Sequence, residues 1–342
     1  MNGKDNLKLM LKGEQPERVL VAQVRPPAKI RQRGPIDMLR TPIIGTGPDI
    51  PVDIWGIRYR ATDSTNGAMI HDHSGKRVLD LDDIEHWQDY VKAPDLSNVD
   101  WESVISAQLT NATRHGMVDR SQSALMVMLN TGYFMLLVGL MGFEEALIAI
   151  GEYPEEVKAI VEYTSEFYLD IQKKVFPIYN CDLIYPGEDC ASNGGPLISL
   201  KTFKEIFLPA SKKHIDLAKE MGCAVSMHCC GKGEAFIDEW VKAGINIWSC
   251  VYPTNDMKAL KEKYGNSLIL EGGWDAPISL PQFNPTDEEI RESAKKTIDE
   301  YADGGGFIFA GFFLGSTGDM EIARKNQILV SAAEDYGDTF YK

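Results

Sequence analysis

His228 and Cys230 stand two residues apart at the end of the apolar run 224–227, and both side chains bind borderline metal ions. A strand alternates its faces, so residues at i and i+2 point the same way and can grip one ion. Imidazole plus thiolate suits zinc, and a catalytic zinc takes about three protein ligands. Cys250, at the end of the next strand-length segment, is one candidate for the third. It reads also as a small buried hydrophobe. Glu188, which opens the polar cluster Glu188-Asp189-Cys190, is the oxygen candidate and reads also as a solvated loop carboxylate. Asp275 is a weaker candidate because it also suits the cap of the helix that follows.

The six cysteines, Cys181, Cys190, Cys223, Cys229, Cys230 and Cys250, crowd into one third of the chain. They are too sparse for a disulfide scaffold and fit metal or redox chemistry in a reducing cytoplasm. The other histidines carry less. His71 and His73 sit in a polar stretch that reads as a solvated loop, whereas His86, His115 and His214 fall on amphipathic helices as surface or half-buried residues. The acids at 80–83 and 287–289 open helices and complement their dipoles. Trp55, Trp248 and Trp274 read as core, with an aromatic pocket floor as the other use.

Strand-length and helix-length segments alternate from about residue 120 onward. Helices are expected at 154–173, 199–221 (Ser199 as N-cap, Gly222 as stop), 234–242, 256–264, 287–301 and from 321. Strands are expected at 181–185, 224–227, 245–248, 267–270 and 307–310. Such alternation means βαβ units and a parallel sheet. At least five units without a glycine-rich dinucleotide fingerprint favour a closed (β/α)8 barrel. In a barrel the active groups sit at the C-terminal strand ends. Glu188-Asp189-Cys190, His228-Cys229-Cys230, Ser249-Cys250 and Glu271 with Asp275 all fall there. No linker or repeat divides the chain, so one domain is expected over 1–342, its first ~115 residues wrapping the barrel.

The chain has 342 residues, 35 Lys+Arg against 50 Asp+Glu and a net charge of −15, which argues against nucleic-acid or anionic-membrane binding. Residues 121–143 carry no charge, but Asn130-Thr131-Gly132 breaks them into a strand, a turn and a helix rather than a span. The N-terminus lacks the apolar core of a signal peptide, and a cytoplasmic protein is expected, compatible with a homo-oligomer.

Taken in order, these residues resemble the uroporphyrinogen decarboxylase superfamily over nearly the whole length. The resemblance runs through Leu11-Lys-Gly-Glu-Gln-Pro16-Glu-Arg18, Asp53-Ile-Trp55-Gly56, Leu81-Asp-Asp-Ile84 and Ala93-Pro94-Asp95. It continues in Gly187-Glu188-Asp189, Asn193-Gly194-Gly195-Pro196-Leu197, His228-x-Cys230-Gly231, Gly272-Gly273-Trp274-Asp275 and Gly304-Gly305-Gly306-Phe307-Ile308. The resemblance implies a (β/α)8 barrel. It also implies one of two chemistries. The cofactor-free decarboxylases use an arginine-rich N-terminal segment; Arg25, Arg31, Arg33 and Arg58 are the arginines available here, in an order that matches poorly.

The corrinoid-linked methyltransferases hold zinc with His-x-Cys and a distant cysteine near the last strand. His228 and Cys230 match the first two ligands, but 310–315 has no cysteine. The resemblance therefore points to the relatives that demethylate O-methyl substrates and pass the methyl group to the cobalt of a separate corrinoid protein. No corrinoid-anchoring Asp-x-His-x-x-Gly motif occurs in this chain. An ether needs its oxygen polarised or protonated, which zinc, or Glu188 or Asp189 as general acid, would supply. An electrophilic ion favours Glu188 as third ligand over Cys250. A cofactor-free decarboxylase and a degenerate ligand-binding barrel are the competing readings.

Overall fold

The computed structural model describes residues 1–22, 34–44, 51–62, 69–129, 132–280, 284–315 and 318–342. Eight strands build one parallel sheet: β1 (Leu20–Val21), β2 (Ile36–Arg40), β3 (Ala124–Met128), β4 (Leu183–Ile184), β5 (Ala224–His228), β6 (Ile247–Val251), β7 (Ile269–Gly273) and β8 (Phe307–Ala310). They pair in chain order from β2 to β8, and β8 then pairs with β1, Leu20 opposite Ile308. This is the strand order of a (β/α)8 barrel, and among the described residues only the β1–β2 seam lacks a ladder.

Period-two alternation divides each strand between two apolar compartments. Leu20, Ala124, Met126, Leu183, Ile247, Ile269 and Ile308 point inward and fill the barrel. Leu125, Val127, Ile184, Val225, Trp248, Leu270, Phe307 and Phe309 point outward into the layer under the helices. Helix α1 (Gly3–Leu11) inserts Leu7 and Met10 into the inner cluster, so it plugs the barrel. The first ~115 residues therefore do more than wrap the barrel. They supply this plug and two of its strands, β1 and β2, which lie outside the regular helix–strand alternation.

The outer layer follows from α2 (Trp101–Arg114), α3 (Tyr133–Met141), α4 (Phe143–Glu152), α5 (Pro154–Tyr179), α6 (200–220), α7 (Ile237–Ala243), α8 (Met257–Tyr264), α9 (Asp287–Tyr301) and α10 (Met320–Gly337). Ser199 caps α6 by accepting from the Thr202 N–H, and Gly222 follows at φ +77°. Thr286 and Glu289 form a capping box on α9. Helix α5 runs six residues past its expected end, through Pro177, and stops at the left-handed Asn180. Pro177 has no N–H to donate to the Lys173 carbonyl, so the helix lacks that one bond and ends within a turn.

The uncharged stretch 121–143 forms β3 and α3, and Asn130 and Thr131 lie outside the described residues. No described single helix is long and apolar enough to cross a membrane; α3 and α4 pass by length and composition only as a pair bent by 111°.

Candidate metal centre

His228 ends β5 in phase with the inward Ala224 and Ser226. Its N–H donates to Pro186 O at 2.8 Å, and its carbonyl accepts from Glu188 N at 2.8 Å, which extends the β4–β5 ladder to the rim. Two residues on, the Cys230 N–H donates to Asp189 Oδ1 at 2.8 Å, which fixes the turn and aims the thiol back toward the ring. Cys230 Sγ lies 3.2 Å from His228 Nε2.

Cys250 arrives by a different device. On an unbroken β6, Ile247 and Ser249 face inward, so Cys250 would face the helices. Between Ser249 and Val251 the register with β7 shifts, and Cys250 sits in this bulge at φ +66°. A bulge re-aims one side chain at local cost. Here it brings Cys250 Sγ to 3.8 Å from Cys230 Sγ, and one donor atom each from His228, Cys230 and Cys250 fall within 4.8 Å of one another. A tetrahedral zinc with bonds of about 2.3 Å to sulfur and 2.0 Å to nitrogen separates two sulfurs by about 3.8 Å and sulfur from nitrogen by about 3.5 Å. The Cys230–His228 separation of 3.2 Å and the Cys230–Cys250 separation of 3.8 Å lie within a few tenths of an ångström of those values.

Glu188, favoured from the sequence as the third ligand, is not in this group. It is fully buried, and its carboxylate turns outward to the N-terminus of α3. It accepts from Phe134 N at 2.7 Å, Tyr133 N at 3.3 Å and Ser211 Oγ at 3.4 Å. Two helix-start amides and a helix dipole are strong competitors for a carboxylate. Its neighbour Asp189 takes the rim position instead, with Oδ1 3.5 Å from His228 Nε2. Asp275 stands at the start of the helical turn Ala276–Ser279, outside the three-donor group.

The field at the site is set by acids and thiols around His228. Burial opposes charge on His228, yet the Cys230 sulfur together with Asp189 and Glu271 carries its pKa up to about 9. Cys250 beside it and burial hold the Cys230 thiol protonated far above its usual range. Burial likewise raises the Glu271 and Asp275 carboxyls. Metal binding must expel the protons of its ligands, and a divalent cation among these groups would reverse each shift.

Glu188 has its own consequence. Burial, only partly offset by the Phe134 and Tyr133 amides, raises its pKa to about 7. The folded value then exceeds the unfolded one of about 4.3, so the folded chain binds the extra proton and stability falls as pH rises across this window. The amide that Glu188→Gln introduces cannot titrate. Denaturant unfolding is expected to show the wild type losing stability relative to Glu188→Gln between pH 5 and pH 8, by on the order of 3 kcal/mol. A constant difference would place the Glu188 pKa outside the window.

Several other residues differ from expectation. His214 is buried rather than on the surface: Nδ1 lies 2.5 Å from Gln172 Oε1 and Nε2 2.6 Å from Tyr133 Oη, and burial lowers its pKa to about 4. His71 ends the second strand of the hairpin Tyr59–Ala61/Met69–His71, half-buried against Tyr59, rather than in a solvated loop. His86 and His115 are exposed, and Trp55, Trp248 and Trp274 are core. Arg25, Arg31 and Arg33 lie outside the described residues, and Arg58 is exposed beside the hairpin.

Three further residues stand in a row with His228: sequence reasoning places Ser249 and Glu271 at the strand-end rim without giving them a role, and misses Tyr185. Tyr185, Ser249 and Glu271 each lie two residues beyond an inward apolar residue (Leu183, Ile247, Ile269). That phase was their available signal.

Residues 84–311 match the family model described as uroporphyrinogen decarboxylase (URO-D). Among curated relatives, the methylated-thiol–coenzyme M methyltransferase of Methanosarcina mazei is 26% identical over 145 residues, 42% of this chain and 37% of that protein. The methylcobamide:CoM methyltransferase MtbA of Methanosarcina acetivorans is 28% identical over 145 residues, 42% of this chain and 41% of that protein. The match thus spans about two fifths of the length of either relative. A solved structure described as a methyltransferase from Methanosarcina mazei superposes with a TM-score of 0.60 at 14% identity, covering 98% of this chain and 99% of that one. It shares the fold.

Proposed function

We propose, from the premise that the chain belongs to the uroporphyrinogen decarboxylase (URO-D) family, that it is a methyltransferase. It moves a methyl group between a small methylated substrate and the cobalt of a separate corrinoid protein. The observation that carries this reading is the convergence of His228, Cys230 and Cys250 on one point at the rim. The names of the curated relatives support the corrinoid partner.

Zinc held by these three side chains would supply Lewis acidity to the atom that carries or receives the methyl group. Asp189, half-exposed at the rim and 3.5 Å from His228 Nε2, is placed to hold a proton for that atom. The Glu188 carboxylate is instead buried and engaged by the Phe134 and Tyr133 amides. The sequence resemblance supports an O-methyl compound as the donor. Cys250 favours a second reading, a thiol substrate. Two thiolates and an imidazole donate more charge than a set containing a carboxylate, and this ligand set suits a soft sulfur partner.

Incubating the zinc-loaded protein with a reduced corrinoid protein and a panel of methoxylated compounds should produce methylcobalt absorbance. Incubation with methylated corrinoid and small thiols should consume it. Transfer in the first arm supports the O-methyl reading, and transfer in the second alone supports the thiol reading. No change in either arm, with uroporphyrinogen converted to coproporphyrinogen instead, would replace methyl transfer with decarboxylation.

A further inference from the structure

Register sets His228 on β5, Ser249 on β6 and Glu271 on β7 side by side across three strands. Tyr185, just past β4, reaches into the row. His228 Nδ1 lies 2.6 Å from Tyr185 Oη, Tyr185 Oη 3.1 Å from Ser249 Oγ, and Ser249 Oγ donates to Glu271 Oε1 at 3.0 Å. An ionised carboxylate only accepts, and each hydroxyl donates one proton, so a chain ending on Glu271 has one consistent polarity. Ser249 donates to Glu271, Tyr185 donates to Ser249, and Nδ1–H donates to Tyr185. Glu271 is 7% exposed, and its Oε2 has no partner among the described residues, so its hold on Ser249 is undivided.

Asp189 pulls the other way. It lies 3.5 Å from His228 Nε2 and would keep a proton on the nitrogen that faces the thiols. Two carboxylates therefore compete over one imidazole, Asp189 directly and Glu271 through two hydroxyls. We propose that Tyr185, Ser249 and Glu271 are positioning residues that keep the proton on His228 Nδ1 and turn a bare Nε2 toward Cys230 and Cys250. This rests on the zinc reading above, and it assigns work to three residues that touch no ion. A ligating histidine takes its orientation and basicity from the partner of its other nitrogen.

Two measurements test it. Zinc affinity, read by competition with a chromophoric chelator, should fall roughly ten- to hundredfold in Tyr185→Phe and several-fold in Glu271→Gln, which preserves size. The double variant should be no weaker than Tyr185→Phe alone, because Glu271 acts through Tyr185. Additive losses would mean that Glu271 acts on the ion independently, and would overturn the relay.

The second measurement needs no metal. In protein labelled with 15N-histidine, an exchange-protected Nδ1–H signal, assigned by its loss in His228→Ala, should shift in Glu271→Gln and vanish in Tyr185→Phe. Its absence from the wild type, or its indifference to Glu271→Gln, would also overturn the relay. A wild type that shows the signal yet binds no zinc would remove the metal reading and leave the hydroxyl chain standing.

Discussion

Alanine at Cys250 is expected to cost the protein its zinc. Cys230→Ala and Cys250→Ala should each lower zinc affinity by at least about a hundredfold, beyond the effect typical of a ligand's supporting partner. Glu188→Gln should retain full occupancy. The expectation follows from placement: both thiols lie within 4.8 Å of the His228 ring nitrogen, whereas the Glu188 carboxylate is engaged with Phe134 N at 2.7 Å. Elemental analysis of protein purified without chelators decides it. Loss of zinc in Glu188→Gln with retention in Cys250→Ala would return the role to the carboxylate. Glycine at 250 separates strain from ligation. At φ +66° any Cβ is strained, so metal-free Cys250→Gly should be more stable than metal-free Cys250→Ala by about 1 kcal/mol, with both lacking zinc.

Gly272→Ala should do comparable damage from a residue that offers no ligand. Gly272 adopts φ +150° opposite the β6 bulge, and a Cβ there would stand 2.3 Å from Val251 O and 2.7 Å from Val251 N. Neither atom can yield without moving the bulge that aims Cys250. Overpacking and backbone strain together should destabilise the fold by about 3 kcal/mol or more. Zinc affinity should fall by at least about tenfold, as for a lost supporting partner. Denaturant unfolding and chelator competition read the two effects separately. A Gly272→Ala protein with wild-type zinc affinity would show that the bulge does not set the position of Cys250.

The barrel was legible because six of its strands sit in a regular alternation with helices, and each strand's apolar phase survives in the fold. Strands β1 and β2 were not, since they lie outside that alternation, with residues 41–123 separating β2 from β3. At the rim, His228 and Cys230 could be paired on sequence because i, i+2 spacing at a strand end needs no knowledge of a neighbour. Cys250 could be placed beside them only as an alternative, because strict alternation sends it to the opposite face and the bulge that reverses this appears only when β6 meets β7. The preference for Glu188 over Cys250 as third ligand rested on donor chemistry alone, whereas in the structure the Glu188 carboxylate is engaged by the amides of Phe134 and Tyr133. Adjacent residues at a strand end diverge, and which one turns inward depended on the amides of α3, distant in sequence. Tyr185 and Glu271 were in phase with inward residues, yet a tyrosine and a glutamate have no motif to mark them.

The three donors, Asp189 and the whole hydroxyl chain come from β4, β5, β6 and β7 or the turns just past them, which is one contiguous half of the ring. The ends of β8, β1, β2 and β3 form the other half and, among the described residues, contribute no donor to the metal group. The mouth thus separates two kinds of heritable change. Under the proposed methyl transfer, substitutions along the far arc would reshape what is admitted while the three donors and their support stay untouched, so new substrates could be explored without first surrendering the reaction. On the near arc, one altered backbone angle at Cys250 would end it.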